Sequence, residues 1–204
     1  MTGRDVPPNI SRLTPYERLE SILWEGQLRA FVTYSGGDPA VCFTEATVAG
    51  LKFLLRHRGY QPWGLLIERQ TVFDAGGGPV WHARQEQRRM LSELDSRIRS
   101  WVVRFDSGSD WLEEREWRIV RDARADSPPV IRLNELRLLA LLVGDEKWTG
   151  ARIANCVPVG GSQARRGTYF PPGVGGVPRW LWNPLTADLE SLPPLYDHTD
   201  LSIR

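Results

Sequence analysis

Asp110-Trp111-Leu112-Glu113-Glu114-Arg115-Glu116-Trp117-Arg118-Ile119-Val120 decides how this chain is read. Charge is packed densely into a segment whose second half alternates charged and apolar residues, the pattern of a half-buried strand. At a period of two, Glu114, Glu116 and Arg118 share one face, while Arg115, Trp117 and Ile119 take the other. Acidic residues are poor strand formers and like charges two residues apart repel, so something must compensate. One answer is plain: a solvated face on which Arg118 pairs with Glu116. The other is a catalytic carboxylate at a strand's start, facing a cleft.

Working outward, the segment before it is punctuated clearly. Thr14, Pro15 and Glu17 form an N-cap, a first-turn proline and a T-x-x-E capping box. The helix they open carries Leu19, Ile22 and Leu23 on one stripe and ends at Gly26. A short segment before it, Ile10 to Leu13, carries Arg12. Ala40-Val41-Cys42-Phe43 reads as a buried strand ending at Thr44-Glu45, followed by a helix through Val48, Leu51, Leu54 and Leu55 that stops near Gly59. Trp63 to Glu68 is the next strand. Gly76-Gly77-Gly78-Pro79 is a tight connection into Val80-Trp81-His82, and Gln85 to Ile98 has helical spacing.

Beyond the charged segment, Val130 to Leu133 reads as a short strand, Leu138 to Val143 as a buried one, and Glu146 to Asn155 as a last helix. From Val157 the composition turns to Gly, Pro, Ser and Arg. This divides the chain into a domain over 1–156 and an irregular Gly/Pro/Trp-rich tail over 157–204, held to the body by Trp180 and Trp182. The order of elements predicts a mixed α+β fold without regular βαβ alternation.

Composition narrows the function classes. The chain has 204 residues, enough for one domain with a real core, and a net charge of +1 that makes no global case for nucleic acid. A local surface is a further reading: Arg165, Arg166 and Tyr169 with Trp180 and Trp182 would suit stacking and phosphate contact. Cys42 and Cys156 are the only cysteines, which suits a reducing cytoplasm and excludes zinc-finger spacing. His57, His82 and His198 lack metal-ligand spacing, so no metal site is expected. No apolar run approaches the roughly 18 residues of a membrane span, and no dinucleotide fingerprint or Walker loop occurs.

Four motifs together carry a resemblance: T-x-x-x-x-L-x-x-I-L-x-x-G-x-L from Thr14 to Leu28, V-C-F-T-E-A from Val41 to Ala46, G-G-x-P-V from Gly76 to Val80, and D-W-x-x-E-R-E-W-R from Asp110 to Arg118. The combination resembles the AbiGi-like proteins of abortive-infection and toxin–antitoxin loci, with features of the compact ADP-ribosyltransferases of DarT type, over about residues 10–145. The resemblance implies a split, mostly antiparallel sheet with helices around a cleft. It also implies NAD as substrate, a macromolecular acceptor (protein or nucleic acid), and an antitoxin or toxin partner. An Arg, a Ser/Thr and a Glu in chain order become Arg12 and Thr44 for NAD binding and Glu116 for catalysis, with Glu114 the preceding acid. Tyr60 and Trp63 would stack on nicotinamide or adenine. Glu45, where the pattern has Ser, would set a negative charge near a pyrophosphate. The competing expectation is an inert relative of the same fold, an antitoxin or interaction module with Glu116 and Arg118 locked in an ion pair.

Overall fold

The computed structural model describes residues 6–92, 96–108, 112–122, 129–150 and 176–195. Asp110, Trp111, Arg165, Arg166 and Tyr169 lie outside them. The first helices are α1 (Pro8–Ser11) and α2 (Pro15–Glu25), then come strands β1 (Gln27–Arg29) and β2 (Ala40–Thr44), then α3 (Val48–His57), β3 (Gly64–Ile67) and α4 (Arg69–Asp74). Next are β4 (Gly78–Pro79), β5 (Trp81–Ala83), α5 (Gln85–Ser92), α6 (Ser96–Arg99), β6 (Val102–Arg104) and β7 (Glu116–Val120). The last strands are β8 (Val130–Arg132), β9 (Leu138–Val143), β10 (Arg179–Asn183) and β11 (Asp188–Leu192).

The architecture is α+β, with several small sheets. The described strands form one four-stranded sheet (β11-β10-β9-β3), one of three (β2-β7-β4), and the pairs β1-β8 and β5-β6. Pairing is antiparallel except between β9 and β10 and between β5 and β6.

Local sequence explains α2 fully. The Thr14 hydroxyl accepts from the Glu17 amide at 3.4 Å while Glu17 accepts from the Thr14 amide at 2.9 Å, and Gly26 closes the helix at φ 65°. Leu19 and Leu23 then enter the main core with Val41, Val72, Ile119, Ile131, Leu141 and Val143, which joins elements from most of the chain. Gly77 sits tight against that core: a Cβ there would lie 2.6 Å from the Val72 carbonyl and 2.9 Å from Ile119 Cγ1, so only glycine lets the chain turn into β4.

Several expectations are corrected. Residues 179–192, assigned to an irregular tail, form a hairpin that extends the largest sheet through β9; Trp182 buries itself with Leu55 and Leu142 in a second core cluster. Residues 146–150 make a turn followed by irregular chain rather than the start of a helix, and 151–155 fall outside the described residues. The helical pattern from Gln85 to Ile98 is realised as α5 and α6. A short helix, α4, fills the segment between β3 and the glycine turn, for which the sequence pattern gives no assignment. No described helix is long and apolar enough to cross a membrane.

Candidate functional site

The charged segment becomes a strand only at Glu116. Leu112–Glu114 is a 3-10 turn, and Arg115 takes φ 45°, a left-handed conformation that costs an L residue about 1–2 kcal/mol. Across this break Glu114, Glu116 and Arg118 are buried while Arg115 is exposed.

Register places the neighbours. β2 runs antiparallel to β7 with Thr44 opposite Glu116 and Cys42 opposite Arg118, while Gly78 of β4 faces Arg118 from the other side. Directly opposed residues share a face, so Thr44, Cys42, Glu116 and Arg118 form one polar face. Val41, Phe43, Trp117 and Ile119 on the reverse face belong to the main core.

Arg118 grips Glu116 with a fork, Nε to Oε1 at 2.8 Å and Nη2 to Oε2 at 3.2 Å, both side chains about 95 % buried (4 and 5 % exposed). Its remaining Nη1 donates to Ser35 Oγ at 3.3 Å and to the Ser100 carbonyl. Ser100 is fully buried; its hydroxyl accepts from the Asp38 amide at 2.6 Å and donates back to the Asp38 carbonyl at 3.1 Å. The ion pair therefore also ties the 33–38 turn and the end of α6 to β7.

Glu114 is held differently. It accepts a hydrogen bond from the Tyr60 hydroxyl, and Arg58 Nη2 pairs with the adjacent Glu113 at 2.9 Å, so the 3-10 turn is clamped to the end of α3. Burial, reinforced by the bond to Glu114 and by the charges of Glu114 and Glu116, pushes the Tyr60 phenol well above its ordinary range. Glu114 is only 5 % exposed, yet none of the ion pairs among the described residues includes it. Burial, then the negative charge of Glu116, pushes the Cys42 thiol up to about 12.

Of the residues expected to form the site, Thr44, Tyr60, Glu114 and Glu116 are thus brought together. Arg12 is not drawn into this network. It caps α1 rather than lying on a strand, is exposed, and takes part in none of the bonds holding Glu114, Glu116 or Arg118. Trp63 joins a separate aromatic group, its ring 5.9 Å from Tyr16 and 5.8 Å from Trp148. Two surface hollows, about 440 and 380 Å³, lie elsewhere; the smaller, lined by Gly78, Pro79, Trp81, Ile98 and Trp101, borders the strand opposite Arg118. Among the described residues no cluster of His, Cys, Asp and Glu could hold a metal.

The sequence pattern gives the Glu116–Arg118 pair and places Cys42 in a buried strand, but it does not single out Ser35 or Ser100. Only tertiary contact reveals them, because Ser100 lies far from β7 in sequence and has no local pattern of its own. No family model matches the sequence, and no curated protein or solved structure matches it either.

Proposed function

We propose that the chain is a NAD-consuming ADP-ribosyltransferase of phage-defence or toxin type, acting in the cytoplasm. The observation that carries this reading is Glu114, a buried carboxylate outside the ion pair, set beside a second carboxylate at the head of β7 and capped by a phenol. Carboxylates are rarely this buried without an ionic partner, and Glu114 differs from Glu20, which is as buried but sits in the core under the Trp148 indole, in lying beside a second carboxylate.

The chemistry suits those groups. Breaking the C–N bond between nicotinamide and ribose sends the electron pair out with nicotinamide and builds positive charge on the ribose, as in glycoside hydrolysis. Glu116, held in place by the Arg118 fork, faces that charge. Thr44, opposite Glu116 in register, offers a hydroxyl to the sugar. Glu114 takes the proton of the attacking acceptor group, and the Tyr60 hydroxyl holds it in place. NAD is the substrate, and the acceptor is a macromolecule, protein or nucleic acid.

A second reading is favoured by one observation: both oxygens of Glu116 are engaged by Arg118 in a nearly water-free setting. On that reading the fold serves as an antitoxin or interaction module and the pair is structural. Nicotinamide release from NAD by purified protein separates the two. Wild-type release that falls by on the order of a hundredfold in Glu114→Gln, with the variant still folded, supports the enzyme. Protein that releases no nicotinamide refutes it.

A further inference from the structure

Glu45, Arg115 and Trp117 lie in the two motifs that matter most in this chain, and the proposed reaction uses none of them. They meet at the end of β2. Glu45 Oε1 accepts from Arg69 Nη1 at 2.8 Å, and Glu45 Oε2 accepts from Arg115 Nη2 and from the Trp117 indole nitrogen, both at 3.1 Å. The Arg69 guanidinium lies over the Trp117 ring, 5.8 Å from its centre. Three donors from two separate segments, the start of α4 and residues 115–117, converge on one anion. Arg69 and Arg115 remain 66 and 56 % exposed at the side chain, against 26 % for Glu45, so the cluster is open to solvent on its cationic side. Trp117 and Arg115 alternate with Glu116, so this cluster sits on the other side of the strand from Glu116.

We propose that Arg69, Arg115 and the Trp117 indole form a binding site for a phosphate-class oxyanion, which the Glu45 carboxylate occupies in the ligand-free protein. Two guanidinium groups and an indole N–H are the donor set that suits a tetrahedral oxyanion, because each guanidinium can present two parallel N–H bonds. A carboxylate brings one charge and two oxygens, whereas a pyrophosphate brings more of both, so it can displace Glu45 from the same donors. Arg115, like Ala187 in the last hairpin, is a non-glycine residue with a left-handed backbone. Its side chain is exposed between two buried acids and reaches Glu45. The contacts also lower the Glu45 carboxyl below the usual range, through the Arg69 hydrogen bond first, as expected of an anion seated in a cationic cradle.

The test is calorimetric titration of the full chain with inorganic pyrophosphate, and separately with ADP, at fixed ionic strength. Glu45→Gln keeps the shape and removes the competing charge. It should bind pyrophosphate about tenfold more tightly than wild type, the release of two exposed ion pairs. Adding Arg69→Met or Arg115→Met to Glu45→Gln should abolish the gain. These side chains are exposed, and melting temperatures confirm that the variants are folded; Glu45→Ala supplies a second route to the same comparison. Tighter binding of ADP than of pyrophosphate would identify a nucleotide as the source of the phosphate, and the reverse an inorganic one; either result supports the site. The proposal is overturned if Glu45→Gln and Glu45→Ala bind no more tightly, if the arginine changes leave the gain intact, or if sulfate binds as well as pyrophosphate. None of these readouts involves NAD cleavage, so they succeed or fail apart from the proposed reaction.

Discussion

Replacing Glu116 by Gln tests the physical core of the site. The substitution preserves shape but leaves the Arg118 guanidinium, 4 % exposed, facing a neutral amide. The Gln oxygen can keep one of the two bonds that Arg118 now makes at 2.8 and 3.2 Å, while its NH2 sets donor against donor at the other. Removing one partner of a buried pair costs about 3–5 kcal/mol, because the remaining charge has lost its compensation. For a chain of this size that corresponds to a fall in melting temperature of about 6–20 °C, at about 2–4 °C per kcal/mol. A companion variant, Arg118→Met, also removes the Arg118 donor to the Ser100 carbonyl, and the double variant Glu116→Gln/Arg118→Met should lose clearly less than the sum of the two single changes. Differential scanning calorimetry on the four proteins supplies every number. Strictly additive losses, or a Glu116→Gln protein melting within about 2 °C of wild type, would show that the fork does not hold this part of the fold together. Because the pair is structural as well as polar, turnover of the Glu116 variant is meaningful only well below its own melting temperature. Glu114→Gln is the cleaner kinetic variant.

Three more outcomes are expected. Thr14→Ala should lower stability by about 1 kcal/mol, since it removes the acceptor for the Glu17 amide and half of the capping box; an unchanged unfolding curve would show that the cap contributes nothing. Gly77→Ala should be far more damaging, about 2–3 kcal/mol or more, because its Cβ would meet the Val72 carbonyl at 2.6 Å, and wild-type stability in urea unfolding would contradict the geometry. The Cys42 thiol is raised from 9.0 to about 12 in the folded protein, so its contribution to stability is fully present below pH 9 and is lost as pH climbs from 9 towards 12. Native Cys42 should therefore resist iodoacetamide at pH 9 while the unfolded chain reacts, and equal rates of alkylation in the two states would refute this.

How much of this molecule the sequence discloses depends on the range of the interaction behind each feature. The helix from Pro15 to Glu25 is legible to its last residue, because Thr14, Glu17 and Gly26 act within a few positions of one another. The polar face of β7 is legible too, since alternation alone separates Glu116 and Arg118 from Trp117 and Ile119. Where the strand starts is not legible. The left-handed Arg115 is no property of arginine; contacts to Glu45, 70 positions away, accompany it. The hairpin at 179–192 hid behind a Gly- and Pro-rich approach, and it exists because β9 offers an edge to which β10 can add. Tyr60 reaches Glu114 across 54 positions, which no local pattern announces. These failures are informative in themselves. Local rules break where acids are buried and a non-glycine residue turns left-handed, and departures of that kind concentrate at sites under a demand other than folding. The Glu116–Arg118 pair alone could be explained as structure, because each charge answers the other. Glu114 has no such answer: an ion pair does not need a second buried carboxylate beside it, nor a phenol to hold that carboxylate in position. That second buried acid is the feature on which the proposed reaction rests, and Glu114→Gln is the change that tests it.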